Sequence, residues 1–205
     1  MDTGRIEAFS DGVLAIVITI MVLGLVQPEA ATFESFFATT GLGLLSYLLS
    51  FVYVGIYWNN HHHMFQVADR VDGRVLWANL GLLFFISLLP FTTSWMDSTS
   101  FAQVPVILYG VVLLLMALAY FVLQSTIIRV QGKDSPLKRA IGSDWKGKVS
   151  PVLYLVGIVA AILDPGEAGV GIGIALVAFV LVAVLWVIPD RRIHRFYRES
   201  PERER

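Results

Sequence analysis

Asp11 is the residue whose chemistry fits least well with its surroundings. Its carboxylate stands at the start of an uninterrupted apolar run from Gly12 to Val26. Placing an ionisable group at the boundary of a membrane costs free energy, so such a group usually has a function or a specific bonding partner. Ser10 precedes Asp11 directly, and Thr19 is the next polar side chain along the run. We therefore expect the functional chemistry in this amino-terminal segment.

A run of three histidines, His61 to His63, raises the question of a metal site. Consecutive residues of a helix point about 100° apart, so one chain cannot close all three around one ion. Zinc sites on a helix use spacings such as i and i+4, and no Glu or Cys lies nearby to complete a ligand set. We predict no metal site and no cofactor, with a symmetric ring of one histidine from each of several copies as the alternative.

The composition indicates the class of protein in which these residues work. Hydrophobic residues make up 56% of the 205 residues and charged residues only 15%, too few for the polar surface of a water-soluble domain. Six spans of about 20 residues would use nearly the whole chain. The sequence thus predicts an all-α integral membrane protein with one domain, residues 1–205. The six predicted spans are 6–26, 36–63, 75–96, 103–128, 149–164 and 168–189.

The basic residues are placed in a way that supports six spans. All 15 lysines and arginines lie before the first span or in the segments after the second, fourth and sixth. Cytoplasmic loops collect Lys and Arg, so both termini are predicted to be cytoplasmic. The loop 130–148 is expected to contain a short helix. We interpret the basic tail 191–205 as a topology signal in contact with anionic lipid and predict no nucleic-acid partner.

Four motifs follow one another along the first hundred or so residues. They are Arg5-x-x-x-Phe9-Ser10-Asp11, Ala15-Ile16 followed by Thr19, Trp58-x-x-His61-x-x-x-Phe65, and Leu88-Leu89-Pro90-Phe91. Together with the six-span layout, they resemble the transmembrane protein 175 family of potassium channels. Animal members of that family carry two such six-helix units in one chain and work in lysosomes, whereas a single unit resembles the bacterial form. The resemblance implies a homotetramer in the plasma membrane of a bacterium.

The resemblance also implies where ions would pass. The pore of the family is lined by the first helix of each subunit and is narrowed by large aliphatic side chains, which are Ile16, Ile20 and Leu23 in this sequence. Positions i, i+4 and i+7 share one face of a helix. The chain contains no Thr-Val-Gly-Tyr-Gly filter, so we expect a hydrophobic ring to act as gate and filter, with Thr19 beside it and moderate selectivity for potassium over sodium.

We interpret the remaining motif residues as a support that orients the pore helix. The start of the first span and the end of the second lie on the same side of the membrane, and buried polar groups there need hydrogen-bond partners. The predicted members of this support are Arg5, Phe9, Ser10, Asp11, Trp58 and His61. Direct contact of Asp11 with the ion, and proton sensing by His61, are the alternatives.

Other classes of membrane protein fit the sequence less well. An intramembrane enzyme would need a nucleophile with a base, or a metal, and the sequence has no such constellation. An ion- or proton-coupled transporter would need carboxylates at mid-depth or broken helices. Asp11, near one end of a span, is the nearest approach to that requirement. The coupled transporter remains the alternative to a channel, and composition alone also leaves open a structural scaffold without transport.

Overall fold

The structure, a computed structural model, describes residues 3–68, 71–132, 135–142, 144–166 and 169–187. Every regular element in these ranges is an α-helix, which confirms the predicted all-α class. The eight helices are α1 (Gly4–Val22), α2 (Phe33–Gln66), α3 (Gly73–Ser87), α4 (Leu89–Ser98), α5 (Gln103–Gln131), α6 (Pro136–Ile141), α7 (Trp145–Ile162) and α8 (Val170–Val187). The predicted tail 191–205 lies outside the described residues.

Five segments of the described chain are long and apolar enough to cross a membrane. They are α2, α3 together with α4, α5, α7 and α8. They correspond to the second through sixth predicted spans. The first predicted span is not among them, because α1 carries Arg5, Glu7 and Asp11 within its 19 residues.

The helix ends differ from the predicted span limits where side chains cap the helices. Thr32 accepts the amide of Ser35 at 3.2 Å, so α2 begins three residues before the predicted span. Asp144 accepts the amide of Gly147 at 3.2 Å, and α7 accordingly begins four residues early. A side-chain oxygen at this position satisfies an amide that has no partner inside the helix. The helix expected within the loop 130–148 is confirmed as α6.

The third predicted span, 75–96, is divided into two helices at Leu88. Pro90 occupies the second position of α4. Proline has no amide hydrogen to donate to the carbonyl of Ile86 four residues earlier, so the helical ladder is interrupted there. The amide of Leu88 instead bonds the carbonyl of Phe85 at 3.2 Å in a tighter turn.

An aromatic cluster joins α2, α5, α7 and α8 in the core of the bundle. Tyr53, Tyr109, Tyr154 and Phe179 are all at most 2% exposed, and the Tyr53 hydroxyl donates to the Phe179 carbonyl at 2.6 Å. Gly110 permits the close approach of α8, because a Cβ atom at this position would lie 2.5 Å from the Phe179 ring. Buried polar contacts of this kind fix the helices relative to one another.

Side-chain amides tie the helix ends together at both ends of the bundle. Gln131 at the end of α5 donates to the carbonyl of Val67 just after α2 at 2.9 Å. At the opposite end, Gln103 at the start of α5 donates to the carbonyl of Ala161 near the end of α7 at 2.8 Å. α1 packs against α2, α3 and α4. The bundle is thus a fixed frame that holds α1 along one side.

Candidate functional site

α1 has one packed face and one uncovered face. The packed face consists of side chains repeating every three or four residues, which is the period of a helix face: Ile6, Ser10, Leu14, Val17 and Met21. All of these are at most 5% exposed. The frame of α2, α3 and α4 therefore fixes the rotation of α1 about its own axis.

The predicted constriction residues lie together on the uncovered face. Ile16 is 58% exposed, Ile20 is 50% exposed and Leu23 is 81% exposed. Leu23 follows the last residue of α1, but its backbone keeps helical angles of φ −70° and ψ −15°. The three side chains therefore form a continuous aliphatic stripe, which we call the α1 stripe, and no other part of the described protomer covers it.

Thr19 is exposed next to the α1 stripe. Its hydroxyl lies 3.0 Å from the carbonyls of both Ala15 and Ile16 and donates within its own helix. The hydroxyl hydrogen is thereby engaged, while the oxygen retains acceptor capacity. Thr19 thus places an oxygen, and not a free donor, beside the stripe.

Two hydrogen-bonded contacts hold the first turns of α1. Trp58 Nε1 on α2 donates to Asp11 Oδ1 at 3.1 Å. Separately, Asn79 Nδ2 on α3 donates to Ser10 Oγ at 3.0 Å, and Asn79 Oδ1 lies 2.8 Å from His61 Nε2. An amide oxygen only accepts, so His61 carries its hydrogen on Nε2. The structure brings Ser10 and Asp11 on α1 close to His61 and Trp58 on α2, with Asn79 between Ser10 and His61.

Asn79 is the member of this cluster that the sequence reasoning missed. It is 2% exposed, as is His61, and Ser10 is fully buried. A signal was present, because Asn79 is the one amide side chain within the predicted span 75–96, and a polar group in such a segment needs a partner. We call Ser10, Asn79 and His61 the buried triad.

Arg5 and Phe9 lie at the edge of this cluster. Both are exposed, Phe9 to 54%. Among the described residues, neither side chain takes part in the hydrogen bonds that join Ser10 and Asp11 to α2 and α3. Their part in the support stays a prediction.

The three consecutive histidines have three different surroundings. His61 belongs to the buried triad. His62 stacks on Trp58 with ring centroids 6.2 Å apart, and its Nδ1 atom lies 3.8 Å from Glu7. His63 Nδ1 is buried without a partner among the described residues. The described parts of the chain hold no cluster of three or more histidine, cysteine or acidic residues suited to a metal ion.

Comparison with known proteins shows which family of proteins this chain resembles. Residues 5–90 match the family model described as endosomal/lysosomal potassium channel TMEM175. A protein of Chryseobacterium sp. (strain P1-3), described as a potassium channel, is 48% identical over 98% of this chain and 100% of its own length. A potassium channel of Streptomyces collinus is 29% identical over 90% of this chain and 91% of its own.

One solved structure has a similar fold and a related sequence. It is the crystal structure of a lysosomal potassium-selective channel TMEM175 homologue from Chamaesiphon minutus. The match covers 90% of this chain and 97% of that chain, with a TM-score of 0.70 and 28% sequence identity. The similarity therefore extends over nearly the whole bundle and beyond the amino-terminal motifs.

Proposed function

The chain belongs to the TMEM175 family, and from this we propose that copies of it assemble around a potassium-selective pore lined by α1. The family is one of ion channels, so the protein is not an enzyme. The proposed pore is narrowed by the α1 stripe, which acts as both gate and filter. The permeant ion is potassium, and we propose moderate selectivity over sodium.

The observation that carries this proposal is the uncovered α1 stripe on a helix that also bears charge. Ile16 and Ile20 remain at least half exposed although the opposite face of α1 is packed. Asp11 is also exposed in the protomer. An ionised carboxylate that faces lipid costs considerable free energy, whereas a carboxylate that faces water or protein near the membrane edge costs little. Asp11 lies about 140° around the helix from Ile16 and is held by Trp58, so the stripe is the face of α1 that is left for other copies of the chain.

A single α1 cannot enclose a hole, so the pore requires several copies around an axis. Closed cyclic symmetry presents the same residue from each subunit at the same depth. Each stripe residue then becomes a ring. We propose four copies, the number that the resemblance to the bacterial form implies.

The selectivity mechanism follows from the chemistry of such rings. A narrow ring of Ile or Leu excludes water, and an ion crosses it only after losing part of its hydration shell. Potassium holds its water less tightly than sodium, so its barrier is lower. The acceptor oxygen of Thr19, one turn from the Ile16 ring, replaces some of the lost water. A filter of this kind discriminates less strongly than a cage of backbone carbonyls.

The buried triad and the Trp58–Asp11 contact act in this proposal as positioning groups. Two hydrogen bonds of 3.0 and 3.1 Å fix the first two turns of α1 to α3 and α2, and a third of 2.8 Å joins α2 to α3. The ring diameter depends on where each α1 sits, and a small displacement changes the barrier for a dehydrated ion. The support therefore affects selectivity without touching the ion. Arg5 and Phe9 extend the support at its exposed edge.

The proposed setting is the plasma membrane of a bacterium. The buried triad lies at the end of the bundle where the predicted basic segments, before the first span and after the second, fourth and sixth, are also expected. We place this end, with both termini, in the cytoplasm. The exposed apolar faces of α7 and α8 then face the lipid bilayer. Lipid, potassium ions and further copies of the chain are the proposed partners.

The test is potassium and sodium flux into liposomes that contain the purified protein. Ile16→Asn places an amide in the ring, so we expect higher conductance and a potassium-to-sodium permeability ratio reduced several-fold toward one. The matched control is Ile174→Asn on α8, where an isoleucine is 47% exposed. Its conductance and permeability ratio should stay at the values of the unmodified chain.

Two results would contradict the proposal. If Ile16→Asn is folded and its selectivity is unchanged, Ile16 does not belong to the filter. If potassium uptake requires a second ion gradient, such as a proton gradient, the protein is a coupled transporter.

A further inference from the structure

A cavity separate from the α1 stripe lies among α2, α5, α7 and α8. Its volume is about 40 Å³, room for about three water molecules. Tyr57, Tyr120, Gln124, Asp144 and Trp186 are among its lining residues. None of these residues belongs to the proposed pore or its support, so the cavity has a separate role to explain.

Two polar side chains of this cavity are buried and have no partner within the described chain. Gln124 is 6% exposed and Tyr57 is 8% exposed. Among the described residues, none forms a hydrogen bond with the carboxamide of Gln124 or the hydroxyl of Tyr57. Buried polar groups are almost always satisfied by protein, water or a ligand. The polar atoms of these two side chains keep accessible surface toward the cavity, which therefore holds water or another polar occupant.

The polar atoms left over in the cavity include acceptor oxygens as well as donor hydrogens, since the Gln124 carboxamide offers both. Asn60 Nδ2 donates to the Ile56 carbonyl at 2.8 Å, which leaves its oxygen as the group for an occupant. Ser150 also lines the cavity, but it already donates to the carbonyl of Lys146 and accepts from Trp186. The acceptor oxygens can hold an occupant that donates hydrogen bonds, while water in the cavity satisfies the donor hydrogens.

The aromatic rings and the charge of the cavity favour a cation. The Tyr57 and Tyr120 rings meet edge to face with centroids 5.9 Å apart. Asp144 brings a carboxylate to the lining at the start of α7. Aromatic faces combined with a carboxylate are the features by which proteins bind ammonium groups.

The surface next to Asp144 carries the opposite charge. Lys146 and Lys148 follow Asp144 within the first turn of α7, and Lys148 is exposed. Trp145 is 47% exposed at the same level, and exposed tryptophans are typical of the headgroup layer of a membrane. A carboxylate inside and lysines outside match a ligand that has an ammonium group at its tip and a phosphate behind it.

We propose that this cavity binds a primary ammonium group, presented either by the headgroup of an aminophospholipid or by a free small amine. The ammonium donates hydrogen bonds to Gln124, Tyr57 and Asp144, against the tyrosine rings. With a lipid, the phosphate lies against the lysines of α7. The site is in each subunit and does not depend on the pore.

The test is native mass spectrometry of the full chain purified in detergent, with equal amounts of three lipids. Phosphatidylethanolamine carries the primary ammonium, phosphatidylcholine carries a bulky nitrogen without hydrogens, and phosphatidylglycerol carries no nitrogen. We expect the protein to retain several-fold more phosphatidylethanolamine than either other lipid. Ethanolamine, added as a free amine, should displace it.

The variants assign this preference to the cavity. Asp144→Asn and Gln124→Leu should each reduce phosphatidylethanolamine retention to the level of the other lipids. Asp72→Asn is the matched control, because Asp72 also caps a helix by accepting backbone amides, those of Arg74 and Val75, on α3. Asp72→Asn should keep the preference.

Each outcome has a defined meaning. Equal retention of the three lipids by the unmodified chain, with no effect of ethanolamine, overturns the proposal. If Asp72→Asn and Asp144→Asn lose phosphatidylethanolamine retention equally, the proposal is also overturned. The lipid preference would then depend on charge at helix ends in general and not on the cavity. Binding of ethanolamine without any lipid preference identifies a soluble amine as the ligand. Potassium flux of each variant shows separately whether the channel itself is intact.

Discussion

Asn79 joins three helices through one side chain. Its amide group donates to Ser10 on α1 and its oxygen accepts from His61 on α2, while the residue itself lies on α3. All three side chains are at most 2% exposed. A carboxamide is well suited to this position, because it offers a donor and an acceptor on opposite sides of one planar group.

Replacement of Asn79 tests the support directly. In Asn79→Leu, a side chain of similar size leaves Ser10 and His61 buried without partners, so we expect the free energy of unfolding to fall by about 1–3 kcal/mol. Denaturant unfolding in detergent measures this change. We also expect a lower potassium-to-sodium permeability ratio in liposomes.

The control for Asn79→Leu is Asn59→Leu on α2, where the asparagine is exposed. That variant should keep both the stability and the permeability ratio of the unmodified chain. Equal stability of the two variants would show that the buried triad does not hold α1 in place.

At the scale of helices, the bundle depends on very close packing where small residues face large rings. α8 approaches α5 and α7 at Gly110 and Gly157, and both glycines lie against the ring of Phe179. In membranes, small residues at helix interfaces allow backbones to approach closely and replace the hydrophobic effect as the source of association. The frame that positions α1 therefore depends on residues far from it.

Gly110→Ala tests this packing. The added methyl group would meet the Phe179 ring at 2.5 Å and Ile158 at 2.9 Å, so we expect a loss of stability of about 1–3 kcal/mol from overpacking. Adding Phe179→Leu should restore part of the loss, because it removes the ring. Thermal unfolding in detergent measures both effects.

The matched control for Gly110→Ala is Gly55→Ala on α2. A Cβ atom at Gly55 would meet no atom within 4 Å. Alanine favours a helix over glycine by up to about 1 kcal/mol, so this variant should be as stable as the unmodified chain or slightly more stable. Similar losses in both variants would refute the packing argument.

The connection between α7 and α8 is held by one carboxylate. Asp164 accepts the amides of Gly166 and Ile172, both at 2.8 Å. These amide donors hold the pKa of Asp164 below its ordinary value. Its contribution to stability is therefore complete above the ordinary aspartate pKa of about 3.9 and is lost as the pH falls through the lower, folded-state pKa.

The pH dependence of unfolding checks this role. At about pH 6 the unmodified chain should be more stable than Asp164→Asn, and the difference should shrink as the pH falls below about 4. Glu29→Gln, which replaces an exposed carboxylate in the connection after α1, controls for the removal of charge alone. A difference that stays constant down to about pH 3 would show that Asp164 does not stabilise the connection through its charge.

At the scale of the whole molecule, the proposed pore needs more than one copy of the chain. Its most exposed aliphatic side chains on α1 have no partner within the described chain, and one helix cannot surround an ion. Assembly would bring the stripes of several copies together around an axis.

Crosslinking tests this arrangement in a chain that contains no cysteine. Leu23→Cys should give covalent dimers with a short bis-maleimide crosslinker, because the proposed ring brings residue 23 of neighbouring subunits close together. The matched control is Leu163→Cys, since Leu163 stands just after α7 as Leu23 stands after α1. The two leucines are 74% and 81% exposed, respectively.

The control cysteine should face lipid and remain uncrosslinked. Equal dimer yields from the two variants on a denaturing gel would indicate random collision. Dimers from Leu163→Cys alone would place the subunit interface on α7 and contradict a pore lined by α1.

The sequence alone determined the class of protein and the approximate limits of the five long apolar segments, and it predicted the residues of the α1 site. Hydropathy, capping residues and motif spacing are local properties, so they can be read without knowing which helices meet. Ser10, Asp11, Trp58 and His61 could be grouped because consecutive spans run in opposite directions. The start of the first predicted span and the end of the second are therefore expected on the same side of the membrane.

The tertiary structure decided what depends on contacts between residues distant in the sequence. It identified Asn79 as the link between Ser10 and His61, and it showed which face of α1 remains uncovered. It also showed the cavity around Gln124, whose walls come from four helices. No local pattern specifies these features, because each arises only when side chains from separate helices are packed into the same space.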